Sequence, residues 1–385
     1  MQPNDIIKNR WILQERVGHG AFGDVFFAQH LLKPRRAVLK IESFAAAAAR
    51  NMRPVLKVEA VVLRDTQHLP CVARFYEYSA DTVAEMYFLA QSVLGEDLMK
   101  LRKRRPGGRF SPVTVLRVGI QGLLALKGLH EAGYIHRDVK PANLCIGYGA
   151  PANRTVHIID FGLIREYVDR ATQAHLPARP DAKGFRGTPK YASPNVHLEQ
   201  DQGRRDDLWS LLYVLIEFAA GALPWSHLPD RVAMGALKIE LMDPRGLDAL
   251  LAGVPPELLY ALTQVFHTVR GLEYHETPPY ERLVQTMETQ IQLLASSVGV
   301  APATGEPLPQ SASGGRGVHG GVEALAASAA ALGFVAGTMF DWESQPPPPP
   351  LKLVTFTGAV AEKVDRAIAL AQATQQQQQQ AAKQQ

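Results

Sequence analysis

His136-Arg137-Asp138-Val139-Lys140-Pro141-Ala142-Asn143 concentrates a carboxylate, an amine and a carboxamide within a few residues. Asp138 can accept a hydrogen bond from a hydroxyl and align it. Lys140 puts a positive charge beside a moving phosphate, where negative charge sits in the transition state. Asn143 offers a neutral oxygen ligand to a hard cation such as magnesium. A chance match of all eight residues is remote.

Outward from this loop, the other parts of a phosphoryl-transfer site appear in order. Asp160-Phe161-Gly162 follows the apolar strand Val156–Ile159. Asp160 is the second candidate magnesium ligand, and Ile159 a candidate nucleotide contact. Upstream, Gly18-His19-Gly20-Ala21-Phe22-Gly23-Asp24-Val25 lies between two predicted strands, not at a strand-to-helix turn. That context argues against a dinucleotide fingerprint and for a hairpin covering ATP phosphates. Glycines there let backbone amides approach phosphate oxygens without a Cβ clash. Val17, Gly18, His19, Gly20, Ala21, Phe22, Gly23 and Val25 are the candidate contacts. Lys40, on Val38-Leu39-Lys40, is the amine for the α- and β-phosphates. Glu59, in the middle of a helical run, is the carboxylate expected to orient it, with Glu42 as the alternative.

The bulk composition excludes several classes. The 385 residues are 46% hydrophobic, too long for one simple core and enough for a two-lobed domain with extra sequence. A formal charge of +4 calls for neither nucleic acid nor membrane as partner. The two cysteines, Cys71 and Cys145, have no metal-ligand spacing and suggest a reducing compartment. The polar start Met1–Arg10 lacks a signal core, and the apolar run Leu211–Trp225 is broken by Glu217. The expectation is a soluble protein inside the cell, cytoplasmic, nuclear or both.

Short strands are expected at 11–17, 25–29, 37–42, 72–79 and 86–92, with a helix over 53–66. From Ser111-Pro112, an N-cap followed by proline, the chain turns helical. Residues 1–10 read as an extension, 11–294 as the domain (small lobe 11–92, large lobe 97–294) and 295–385 as a tail. The tail is rich in Ala, Gly and Ser, with a proline run at 346–350 and six glutamines at 375–380. Disorder is expected there, with 358–373 as a candidate isolated helix.

Phe185-Arg186-Gly187-Thr188-Pro189-Lys190-Tyr191-Ala192-Ser193-Pro194-Asn195, with Gly203–Leu211 and Leu223-Pro224-Trp225, resembles the casein kinase 1 superfamily of protein kinases. Ser193-Pro194-Asn195 stands where most kinases carry Ala-Pro-Glu. The segments 147–157 and 176–184, and Asp207-Leu208-Trp209-Ser210, are more similar to the tau-tubulin kinase branch. The resemblance covers about residues 10–290. It implies an α+β, bilobal fold, with a β-rich lobe before an α-rich lobe. It also implies a monomeric serine/threonine kinase that uses ATP and Mg2+. In this likeness Thr188 hydrogen-bonds near Asp138 and Lys140, and Asp207 braces the catalytic loop. Gln91 is the gatekeeper and Ser92, Val93 and Leu94 form the hinge. Lys190, with Arg186, forms an anion site favouring acidic or phosphorylated substrates, tubulin and microtubule-associated proteins among them.

Val38 and Cys145 depart from the family pattern in the adenine pocket, one adding volume and the other removing it. The alanine-rich 44–49 suggests a looser helix start. Thr172 and Thr188 are the candidate activation-segment threonines. The basic run Lys100–Arg105, with Arg109, reads as a solvated loop or as a dock for an acidic substrate. Two rival functions remain: an inactive scaffold, disfavoured by the complete catalytic set, and a small-molecule phosphotransferase, disfavoured by the full activation segment.

Overall fold

Ala37, Leu39 and Ile41 are buried, while Val38 and Lys40 between them stay half-exposed, the period-two pattern of a strand with one core face. A computed structural model describes every residue except 21–22, 50–53, 181–183, 298–339, 345–347, 349–352 and 384–385. The chain divides into two compact units. One holds Met1–Gln67, Ala73–Leu94 and Pro348–Gln385; the other holds His68–Val72 and Gly95–Pro347.

The first unit is built on a sheet of β1 (Ile6–Ile7), β2 (Trp11–Gly20), β3 (Gly23–His30), β4 (Arg36–Ser43), β5 (Phe75–Asp81) and β6 (Met86–Gln91). The helices α1 (Phe44–Ala49) and α2 (Val55–Asp65) fall between β4 and β5. The strands pair antiparallel in the order β1-β2-β3-β4-β6-β5. Trp11, Leu13, Phe26, Leu39 and Phe88 fill its core. The hairpin between β2 and β3 closes on Gly23, whose φ is +150°. A Cβ there would meet the Ile41 carbonyl oxygen at 1.8 Å, so glycine is required.

The alanine-rich stretch is a separate short helix, α1, and Phe44 anchors it on the Tyr87 ring at 4.7 Å. Helix α2 starts at Pro54, which gives no side-chain cap. Glu42, fully buried on β4, instead accepts the Leu56 N–H at 3.1 Å. A carboxylate suits that end of a helix, where backbone N–H groups lack intrahelical partners.

The second unit begins with α3 (Leu98–Lys103) and the long α4 (Pro112–Glu131). As expected, Ser111 caps α4, its Oγ accepting the Thr114 N–H, with Pro112 in the first turn. Four short strands follow: β7 (Tyr134–Ile135), β8 (Leu144–Ile146), β9 (Val156–Ile158) and β10 (Arg165–Glu166). They form two small ladders, β7 with β10 and β8 with β9. Then come α5 (Pro194–His197), α6 (Arg204–Ala220), α7 (Arg231–Leu241), α8 (Leu247–Leu250), α9 (Pro256–Gly271) and α10 (Tyr280–Ser297). Helices α4 and α6 pack together with α9 and α10 around Leu123, Leu126, Leu212, Phe218 and Phe266. The apolar run 211–225 is therefore a core helix and the turn after it.

Some described parts of the tail are packed, and the helix expected over 358–373 forms as the first part of a longer one. Phe340 and Trp342 are buried in the second unit. Helix α11 (Gly358–Lys383) belongs to the first unit, where Lys363 donates to the Asn4 carbonyl at 2.9 Å and Val354 pairs with the Gln29 amide. Burial of Val364, Ala367 and Ala371 gives α11 its apolar stripe, while the helix runs on through the glutamines with their side chains exposed. Of the proline run only Pro348 lies among the described residues.

Candidate active site

In the first unit, Lys40 and Glu59 meet as an ion pair. Lys40 sits mid-strand on β4, and Glu59 lies in the second turn of α2 on its buried face. Glu42 points along the same strand but serves the start of α2, so Glu59 is the partner. Val38 faces Gln91 across the β4–β6 ladder. Ser92 donates its N–H to the Arg74 carbonyl and accepts the Arg74 N–H on its Oγ, at 2.8 and 2.9 Å. Val93 is buried and Leu94 half-buried. Val17, Gly18, His19 and Gly20 end β2, while Gly23 and Val25 begin β3. Ala21 and Phe22 lie outside the described residues.

In the second unit, the catalytic-loop side chains form a closed triangle. Lys140 Nζ donates to Asp138 Oδ2 at 2.6 Å and to Thr188 Oγ1 at 3.1 Å. Thr188 Oγ1 donates to Asp138 Oδ1 at 2.7 Å. Asn143 Nδ2 donates to the Asp138 carbonyl at 2.9 Å and to Asp138 Oδ2 at 3.3 Å. That orientation turns Asn143 Oδ1 away from Asp138, the arrangement a cation ligand needs. The Ile159 N–H donates to the Asn143 carbonyl at 3.0 Å, tying the loop to the strand that leads into Asp160. Asp160 has φ of +67°, and its Oδ1 accepts the Gly162 N–H at 3.3 Å. Phe161 is buried, its ring edge-on to His136 at 5.8 Å. One carboxylate and one carboxamide oxygen are a donor set that fits magnesium, which keeps several of its own waters. Cys145, next but one after Asn143, is buried in β8 and bridges to Asp97.

The loop backbone is held by Asp207, at the start of α6. Its Oδ2 accepts the His136 N–H at 2.7 Å, and its Oδ1 accepts the Arg137 N–H at 2.8 Å. His130 adds a third bond, from Nε2 to Oδ2 at 2.8 Å, and contacts the Tyr280 hydroxyl through Nδ1. Burial raises the Asp207 carboxyl, but these three donors outweigh it and hold it below the usual range. Burial lowers the His130 pKa more than Asp207 raises it, so the imidazole is neutral.

Several anchors escaped the sequence reading. Ser193 and Asn195 both donate to Asp206 Oδ1, and Gly203 N–H donates to Oδ2 at 2.8 Å, fixing the Ser-Pro-Asn corner on α6. Glu217, fully buried, pairs with Arg102 at 3.1 Å and Lys190 at 2.6 Å and accepts the Tyr191 hydroxyl at 2.7 Å. The signal for it was visible: a lone glutamate inside the apolar run 211–225. Lys238, buried on α7, donates to the Pro189 and Ala192 carbonyls at 2.6 and 2.7 Å.

Two sequence readings of positive charge gain structural detail. Lys190 shares the single Glu217 carboxylate with Arg102, while Arg186 shares its field with other arginines. Arg137 is pushed down to about 10, by burial and then by Arg165, Arg179 and Arg186. In the basic run Lys100, Lys103, Arg104 and Arg109 are exposed, as a solvated run would be, while Arg102 and Arg105 are drawn into the fold. Arg102 is buried on Glu217 and two carbonyls, Arg104 pairs with Glu96, and Arg105 reaches the Asp341 carbonyl.

Residues 11–244 match the family model described as protein kinase domain. A provisional serine/threonine-protein kinase of Dictyostelium discoideum is 36% identical over 299 residues, 78% of this chain and 56% of that protein. A provisional casein kinase I of Caenorhabditis elegans is 34% identical over 229 residues, 59% of this chain and 65% of that protein. A second C. elegans serine/threonine-protein kinase, also provisional, is 33% identical over 287 residues, 74% of this chain and 78% of that protein. The chain thus spans less than two thirds of the length of the first two relatives. With its matched domain, its curled antiparallel sheet and the catalytic loop braced on a buried aspartate, the chain belongs to the protein kinase family.

Proposed function

We propose that this protein is a serine/threonine kinase that transfers the γ-phosphate of Mg-ATP to protein hydroxyls. The carrying observation is the Asp138–Lys140–Thr188 triangle. Asp138 accepts the hydrogen bond of the incoming hydroxyl and aligns its oxygen. Thr188 and Lys140 fix the two carboxylate oxygens in place beforehand, so little reorganisation is left for the reaction. Lys140 then faces the charge of the transferring group. Asn143 Oδ1 and the Asp160 carboxylate are the protein ligands for magnesium, which offsets phosphate charge when bound. Lys40, oriented by Glu59, is the amine for the α- and β-phosphates. By the family likeness the first unit would supply the adenine contacts Val38, Gln91, Ser92, Val93 and Leu94 with the Gly18–Val25 hairpin, and the second unit Cys145 and Ile159.

A preference for acidic or phosphorylated sequences is supported by Arg137, Arg165, Arg179 and Arg186. Asp201 answers only two of them, Arg165 and Arg179. Tubulin and microtubule-associated proteins are the first substrates to try, on the likeness of 147–157, 176–184 and Asp207–Ser210 to the tau-tubulin branch. A location in cytoplasm or nucleus is consistent with two buried free cysteines, and a monomeric kinase domain rests on the family likeness alone.

The test is labelled γ-phosphate transfer to casein or tubulin with magnesium present. Transfer to Ser or Thr should fall at least ~10²-fold in Asp138→Asn, the scale of losing a positioned acid–base group. No transfer by the wild-type chain despite nucleotide binding would favour a scaffold and sink the proposal.

A further inference from the structure

Phe340-Asp341-Trp342-Glu343 is an island of large and charged side chains in a tail of small ones. It sits on the second unit as a peptide ligand sits on a receptor. Phe340 and Trp342 are 4% and 3% exposed and stack on each other at 4.5 Å. Trp342 packs edge-on against Phe110 at 5.7 Å and donates its indole N–H to the Asn153 carbonyl at 2.9 Å. The Arg117 guanidinium lies over the Phe340 ring at 5.3 Å.

Each polar group between the rings is also read. Asp341 Oδ2 accepts the Ser111 N–H at 2.6 Å, its N–H donates to Thr114 Oγ1 at 3.1 Å, and its carbonyl accepts from Arg105. Glu343 takes a forked bond from Arg154, at 2.9 and 3.1 Å, and accepts the Phe340 N–H at 3.1 Å. Two aromatic anchors flanked by charge-assisted bonds are the pattern of a recognition hot spot, not of general tail packing.

We propose that the shelf of Arg105, Phe110, Ser111, Thr114, Asn153 and Arg154 is a docking site for peptides of the sequence aromatic-Asp-Trp-acid. In this chain the site is held by its own residues 340–343. A partner protein carrying the same short sequence displaces them. The tether makes the internal peptide a strong competitor, because intramolecular binding acts at an effective concentration in the ~mM range. The site therefore answers to partners that are abundant or brought close by other contacts. Nothing in this argument depends on phosphotransfer.

The test uses a fluorescein-labelled peptide of residues 337–345 and full-length protein, read by anisotropy. Phe340→Ala/Trp342→Ala, which vacates the shelf, should bind the peptide saturably. Wild type should bind it at least about tenfold more weakly. Adding Arg154→Glu to the double variant, or Asp341→Ala to the peptide, should cost a similar factor. A folded double variant that gives no saturation below ~100 μM peptide would overturn the proposal. So would equal binding to wild type. A double variant that fails to fold would make the segment a structural part of the unit, and that too would overturn it.

Discussion

Gly187 has φ of +109°, and a Cβ on it would lie 2.7 Å from the Arg137 carbonyl oxygen. The close approach brings its neighbour Thr188 onto Asp138. Gly187→Ala should therefore open the triangle and strain the backbone, at a cost of ~1–3 kcal/mol. The expected readout is a fall in kcat larger than any rise in KM, with a lower Tm. Unchanged kinetics would mean that Thr188 does not position Asp138. Lys190 shows the limit of reading at this scale. The family likeness gave it an anion-site role; in the fold it pairs with Glu217, twenty-seven residues on and shared with Arg102, and no local pattern announces that pair.

At the scale of elements, α2 carries Glu59 and takes its N-terminal support from a different element. Glu42→Ala leaves the buried Leu56 N–H without its acceptor, which should destabilise the first unit by ~1–3 kcal/mol. Glu42→Gln keeps an acceptor oxygen and should cost less; equal costs would contradict the capping role. Chemical denaturation of the two variants makes the comparison. The strands and this helix were legible in the sequence because period-two and helical spacing are local and strong. The choice between Glu42 and Glu59 was not, since both lie within reach of Lys40 in sequence. The catalytic loop was the most legible element, because its chemistry is contained in eight consecutive residues. The docked tail was the least. Its fate depends on a shelf 189 to 236 residues upstream, and composition around it pointed only to disorder.

Across the whole molecule, histidines held neutral by burial link folding to acidity, His30 and His197 among them. His30 is lowered to about 4 by burial and then by Lys33, Arg35 and Arg10; its Nδ1 accepts the Leu32 N–H at 3.0 Å. His197 is lowered to about 4 by burial and then by Lys238. Both folded values lie below the ordinary 6.5, so the fold favours the neutral rings. Their contribution is complete above pH 6.5 and is lost as pH falls from there towards 4. Tm should drop over that window, and His197→Gln should flatten the drop. An equally steep profile in the variant would remove His197 from the account.

The four tryptophans also give the molecule an optical consequence. Trp11 lies in the sheet unit, Trp209 and Trp225 lie in the helical core, and Trp342 alone belongs to the tail, pinned to the Asn153 carbonyl. All four indoles are buried, so native emission is blue-shifted as a whole. With the other three replaced by phenylalanine, the colour of Trp342 alone becomes an intrinsic gauge of whether the tail is seated or released into water, without any attached dye.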